Sequence, residues 1–200
     1  MSAYIPKGAG DRHQTLLYVA SPGDTEDSIW NFLRSYPFTE DSTARFIVYP
    51  RGIGTSMWDA MQRRRFERCS MLLGRTVDDM RLYDVLCAID YIAMLPSFDG
   101  RSFTVVGRGM QGILGAYAAL LDKRVSRVIL HTPTTTHKTS PIFLNILRYT
   151  DIPQTLAMLA PRELVFLTQD IGSFEYTRSI YKLYNAEHAF RRAQVFNSKR

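Results

Sequence analysis

The residues with most chemical content are the glycines of Gly107-Arg-Gly-Met-Gln-Gly112. They follow the apolar run Phe103-Thr-Val-Val106 and lead into an Ala- and Leu-rich stretch, Gln111 to Leu121. That order reads as a strand, a tight glycine turn and a helix. Two chemistries use this layout. In a Gly-x-Ser-x-Gly elbow the central residue presents a nucleophile at a helix N-terminus, and the flanking glycines let strand and helix approach closely. With Gly107 in the first position, Gly109 stands in the nucleophile's place, and Gln111 takes the usual last glycine position with Gly112 just after it. Glycine offers no oxygen or sulfur to attack a carbonyl, yet it tolerates the positive φ an elbow imposes. The second layout is the dinucleotide fingerprint Gly-x-Gly-x-x-Gly, spelled by Gly107, Gly109 and Gly112. It lacks the acidic residue that holds a ribose hydroxyl about 20 positions on, because the next strand ends in His131-Thr132. It also lies deep in the chain, whereas the fingerprint usually opens its domain.

Few other side chains have catalytic or metal-ligating spacing. His131 ends a strand near the mouth of the presumed site, so it can contact a ligand, although a structural role is favoured. His137, in a Thr-rich loop, reads as solvent-facing, His13 as part of an unstructured lead-in, and His188 as a helical surface residue. No pair of histidines has metal spacing, and no metal is expected. The two cysteines, Cys69 and Cys87, suggest neither a disulfide framework nor a zinc site; Cys87, between Leu86 and Ala88, reads as a buried thiol. Asp78, Asp79 and Asp84 are accounted for by helix capping.

The elements that must position the turn follow from periodicity. Thr15–Ala20 reads as a strand ended by Ser21-Pro-Gly, with Asp24 and Asp27 capping a helix whose apolar face is Ile29, Trp30 and Leu33. Phe46–Tyr49 is a second strand, and another helical region starts near Ser56. Thr76 and Asp79 form a capping box for a helix with Leu82, Val85, Leu86, Ile89, Ile92 and Ala93 on one face, ended by Pro96 and Gly100. Val125–Leu130 and Glu163–Leu167 are strands. Ile142–Leu159 is helical and interrupted at Pro153, Phe174–Ala189 is helical, and Ala193–Phe196 is a last strand. From Phe103 onward the strands are apolar without alternation, as a parallel sheet covered on both faces requires.

Size and composition fit one soluble α/β domain over residues 1–200, with 1–13 a flexible lead-in. No run approaches the ~20 apolar residues of a membrane span, and no signal-peptide core is present. No membrane association is expected, and the location expected is cytoplasmic. The net charge is +6, with Lys+Arg 25 against Asp+Glu 19. The densest basic run is Arg63-Arg-Arg-Phe-Glu-Arg68. Without an accompanying aromatic-and-basic stripe it reads as a solvated helix face, and no nucleic-acid partner is expected.

Several phrases carry a family resemblance. Leu73-Gly-Arg-Thr with Leu82-Tyr-Asp-Val-Leu-Cys-Ala-Ile-Asp-Tyr91, Val105-Val-Gly-Arg-Gly109, Ile146-Leu-Arg-Tyr-Thr-Asp-Ile-Pro-Gln154 and Leu159-Ala-Pro-Arg-Glu-Leu-Val165 resemble acetylxylan-esterase-like and dienelactone-hydrolase-like α/β-hydrolases. Tyr49-Pro-Arg-Gly-Ile-Gly-Thr-Ser56 is similar to the Arg-Gly-x-Gly-x-Ser turn of that fold. The resemblance covers roughly residues 70 to 170. It implies a three-layer α/β sandwich with a mostly parallel sheet, truncated by lacking the strands that usually precede the first one.

The activity it implies is hydrolysis of esters, often acetyl groups on carbohydrate, by a serine, an acid after a late strand, a histidine after the last strand and backbone N–H donors. Here the serine position is Gly109, and the acid matches Asp170. The histidine position lies beyond Phe196, where the chain reads Asn197-Ser-Lys-Arg200. The Met110 N–H and the Ser21-Pro22-Gly23 turn match the oxyanion donors.

These readings together favour an esterase-like domain without serine-hydrolase catalysis, acting as a binding or accessory module with no cofactor. Its ligand would be a small molecule or a carbohydrate ester, within a larger parent protein or a homo-oligomer. Two alternatives remain. One is a residual carboxylesterase with a relocated nucleophile, Ser140 or a Thr of the 132–136 loop. The other is a dinucleotide-binding domain using Gly107, Gly109 and Gly112.

Overall fold

The computed structural model describes residues 1–5, 13–35, 43–95 and 98–193. Seven strands form one sheet in the order β1-β3-β2-β4-β5-β6-β7. They are β1 (Ser2–Tyr4), β2 (His13–Val19), β3 (Ala44–Val48), β4 (Phe98–Arg108), β5 (Val125–His131), β6 (Glu163–Leu167) and β7 (Phe190–Arg192). β1 runs antiparallel to β3, and every other pairing is parallel. The lead-in expected over residues 1–13 therefore contains a strand, Ser2 pairing with Ile47 and Tyr4 with Arg45, and His13 opens β2. A three-residue strand has too little periodicity to register as one. β7 occupies Phe190–Arg192, just before the strand expected over 193–196, of which residues 194–196 lie outside the described residues.

Helices cover both faces because successive strand residues point to opposite sides. Leu17, Val19, Val105, Leu130, Leu164 and Phe166 pack with α3 (Val77–Ala93), α4 (Gly109–Leu121), α5 (Ile152–Ala157) and α6 (Glu175–Leu183). Leu16, Tyr18, Ile47, Val106, Ile129 and Val165 face α1 (Glu26–Arg34), which contributes Ile29, Phe32 and Leu33. α2 (Ala60–Leu72) buries only Ser70.

Local sequence explains the helix starts. Thr76 and Asp79 form the capping box of α3. α1 is capped by Thr25 with Ser28, not by Asp24 and Asp27, since the Thr25 side chain accepts from the Ser28 N–H and Ser28 Oγ from the Thr25 N–H. Pro153 lies in the first turn of α5, where its missing N–H has no helical partner to lose, so it begins that helix and does not interrupt one. Gly100 is part of β4, while α3 has already ended at Ala93.

Capping accounts for Asp79 alone. The Asp84 carboxylate accepts from the Arg51 guanidinium (2.9 and 2.5 Å) and backbone N–H (2.9 Å). Asp78 pairs with Arg81 and accepts from the Ile142 N–H at 2.7 Å. These bonds fasten two loops to α3. His137 is buried at 4% exposure, not solvent-facing. Its Nδ1 donates to the Pro141 carbonyl (2.8 Å), so its Nε2 accepts from the Tyr117 hydroxyl (2.8 Å). Cys87 is exposed, contrary to the buried thiol expected; it falls beside the face of α3 that packs.

Candidate functional site

The chain crosses from β2 to β3 on one side and returns to place β4 on the other side of β2. This reversal falls at the C-terminal ends of β2 and β4, the switch point at which open α/β sheets form their ligand crevice. The Ser21-Pro-Gly23 turn and the Gly107–Gly112 turn border it.

The second turn keeps an elbow's geometry. Gly109 has φ +51°, opens α4, and a Cβ built on it would meet nothing within 4 Å. Gly107 and Gly112 are in backbone contact. A Cβ on Gly107 would stand 2.6 Å from the Gly112 nitrogen, and one on Gly112 2.8 Å from the Gly107 oxygen. Packing thus requires glycine at 107 and 112, and the dihedral favours it at 109. No side chain caps α4, so its first N–H groups, Met110 among them, head toward the crevice unclaimed by a capping side chain.

The crevice wall is polar on the β2 side. Asp24 accepts from the Ser21 N–H (2.8 Å), the Tyr18 hydroxyl (2.9 Å) and Arg108 Nη1 (3.3 Å), which ties the two turns together. The Arg108 guanidinium lies over the Phe32 ring at 4.2 Å. The Ser21 N–H is spent on Asp24 and Pro22 has none, so Gly23 is the donor that turn has left for an oxyanion.

His131 pairs in register with Arg108 and sits edge-on to Phe32 at 5.3 Å. Burial, and then the charge of Arg108, hold its pKa below the usual histidine value, so the ring is neutral near pH 7. Its Nδ1 shares a 3.1 Å hydrogen bond with Thr132 Oγ1, and Thr132 has φ +42°. A β-branched residue in that region is strained.

Gln111, in the first turn of α4, is 1% exposed, and neither its Nε2 nor its Oε1 has a partner. Its place in the first turn puts it at the crevice end of α4.

Among the described residues, Asp170, His188, Thr134, Thr136 and Ser140 make no hydrogen bond to this cluster. Asp170 is exposed in the loop after β6 and accepts from the Gly172 N–H at 2.7 Å; among the described residues no histidine bonds to it. His188 is exposed. The Thr134 hydroxyl donates to the Ser140 carbonyl and that of Thr136 to Asp151, so both hold the loop together. Among the described residues no three His, Cys, Asp or Glu gather to hold a metal ion, and no helix is long and apolar enough to cross a membrane.

Sequence reasoning singled out Gly107, Gly109, Met110 and Gly112 and weighed His131. It missed Asp24 as the tie across the crevice and Gln111 as a buried orphan. The signal for Asp24 was its place just after the turn that ends a parallel strand.

Known structures share this fold. The chain has the α/β-hydrolase fold. It is similar to a candidate acetyl xylan esterase from Bacteroides fragilis with TM-score 0.69 and 11% identity, covering 99% of this chain and 63% of that one. A glucuronoyl esterase from Sporotrichum thermophile matches with TM-score 0.62 and 14% identity, over 96% of this chain and 62% of that one. An acetyl xylan esterase from Paenibacillus sp. R4 matches with TM-score 0.60 and 16% identity, over 98% and 72%. The chain thus spans under two thirds of the length of the first and second of these. No protein-family model and no curated protein sequence matches it.

Proposed function

We propose that this chain is a ligand-binding module on an esterase fold, without serine-hydrolase chemistry. The observation that carries the reading is Gly109. It keeps the elbow's φ of +51° and opens α4, yet provides no atom to attack a carbonyl. Binding groups remain around it: the N–H groups of the first turn of α4, the orphan amide of Gln111 and the neutral His131. Together they suit an uncharged polar ligand of the carbohydrate-ester type, the class that the names of the structural relatives suggest. Hydrogen-bond donors without a nucleophile bind an ester and leave it intact. The test is turnover of p-nitrophenyl acetate. The rate should equal that of Gly109→Ala; a higher rate, abolished by a serine-directed inhibitor, overturns the reading.

One observation favours a second reading, a residual esterase with Thr132 as nucleophile and His131 as base. Thr132 Oγ1 lies 3.1 Å from His131 Nδ1, on strained backbone, as nucleophile–base pairs do. Electrostatics weigh against it. A general base becomes an imidazolium, and burial, then Arg108 beside His131, disfavour that cation. A Thr132→Val variant decides between them: unchanged ester turnover removes this reading, and loss of a measurable wild-type rate establishes it. For the dinucleotide reading, micromolar binding of NADH or NADPH in a fluorescence titration would replace the ester ligand as the occupant of the turn.

A further inference from the structure

α2 presents an unusual surface. Its hold on the body is narrow: Ser70 is its one buried residue, and Phe66 stacks on Trp58 at 4.3 Å. Trp58 in turn packs on Gly52, where a Cβ would stand 2.6 Å from the indole. At 3.6 residues per turn, Met61 lies roughly opposite Ser70 on the helix, with Leu72, Arg65 and Arg68 beside it. The face pointing away from the sheet is therefore a shallow groove lined by Met61, Arg64, Arg65, Arg68, Cys69 and Leu72. Met61 is 81% and Leu72 88% exposed, and Leu73 just past the helix is 80% exposed. Arg63 pairs with Glu67 at 3.0 Å, whereas Arg64, Arg65 and Arg68 have no acidic partner among the described residues.

A solvated helix face does not account for this pattern, because it needs no methionine or leucine at its outermost positions. A helix of 13 residues with one buried side chain is also marginal on its own in water. The arginines straddle the apolar positions, so there is no continuous apolar stripe to sink into a bilayer. Phosphate contacts of a nucleic acid would leave Leu72 and Leu73 uncovered. Arginine and methionine are enriched at protein–protein interfaces, and the guanidinium fork suits carboxylates in paired geometry. A second copy of α2 is disfavoured by like charge.

We infer that the outer face of α2 docks an acidic amphipathic helix of a partner protein, whose carboxylates pair with Arg64, Arg65 and Arg68 while its apolar side covers Met61 and Leu72. This surface is separate from the crevice at Gly109.

The test is selection of displayed 16-residue peptides on the intact chain, followed by affinity measurement against three proteins: wild type, Arg64→Glu/Arg65→Glu/Arg68→Glu, and Met61→Ser/Leu72→Ser. All the altered residues are exposed, and thermal melts confirm that the variants fold. The enriched peptides should carry Glu or Asp at three- and four-residue spacing with interleaved Leu, Ile or Phe. They should bind each variant more than tenfold more weakly than wild type. Absence of enrichment, peptides without acidic periodicity, or equal binding to either variant overturns the inference. So does tighter wild-type binding to vesicles of phosphatidylcholine and phosphatidylserine (4:1) or to duplex DNA, and so does a wild-type dimer that the triple-arginine variant dissociates.

Discussion

Replacing Gln111 with methionine should stabilise the unliganded protein and weaken ligand binding. Gln111 is 1% exposed, and neither Nε2 nor Oε1 has a hydrogen-bond partner. A buried polar group left unpaired costs about 1–3 kcal/mol. Methionine has nearly the same length and volume, so repacking should cost below roughly 1.5 kcal/mol. Relief of about 1–3 kcal/mol less a repacking cost of up to about 1.5 leaves a net change between roughly −0.5 and +3 kcal/mol, centred on a stabilisation of about 1 kcal/mol. For a chain of this size each kcal/mol raises the melting temperature by roughly 2–4 °C. Urea titration followed by Trp30 and Trp58 fluorescence gives the free energy, and differential scanning calorimetry the melting point. The same variant should lose affinity for a polar ligand, because the amide available to hydrogen-bond it would be gone. A loss of 1 kcal/mol or more in the unliganded variant would refute the reasoning, since it would mean the amide is satisfied before any ligand binds.

Three further outcomes are expected. Gly109→Ser should fold, since a Cβ there meets nothing within 4 Å, but the positive φ should cost about 1–2 kcal/mol, and ester turnover should stay at background because among the described residues no histidine is hydrogen-bonded to Asp170 to complete an acid–base pair. His137→Ala should destabilise by roughly 2–4 kcal/mol, since it empties a buried site, strips the Pro141 carbonyl of its partner and leaves the Tyr117 hydroxyl with Thr155 alone; chemical denaturation measures it. His131 has a folded pKa below its ordinary value of about 6.5, so the unfolded chain binds more protons just below that pH. Its contribution is complete above about pH 6.5 and is lost as the pH falls through that window; His131→Gln should flatten the decline seen in urea melts between pH 7.5 and 5.5.

Strong local signals were legible in the sequence. The Thr76–Asp79 capping box, the apolar runs of β4 to β6 and the glycine turn each depend on neighbours a few residues apart, and each appears where the pattern puts it. Features set by distant partners were not legible. β1 exists because β3 offers an edge, and Asp24 forgoes capping α1 because Tyr18, Ser21 and Arg108 converge on it. His137 sits in a polar loop, yet it is buried because Tyr117 and Pro141 satisfy both ring nitrogens. Asp78 and Asp84 read as helix-start carboxylates but are engaged by Arg81 and Arg51. At the site, the glycines were visible as a motif. The orphan amide of Gln111 was not, because burial without a partner is a property of the packed molecule alone.

A calorimetric titration of acetylated xylo-oligosaccharides, with acetate assayed in the same cell, measures binding and ester cleavage at the Gly109 turn together. Saturable binding heat is expected, with acetate release no greater than for Gly109→Ala. Acetate release above that control, or no binding heat at millimolar ligand, would contradict binding without cleavage.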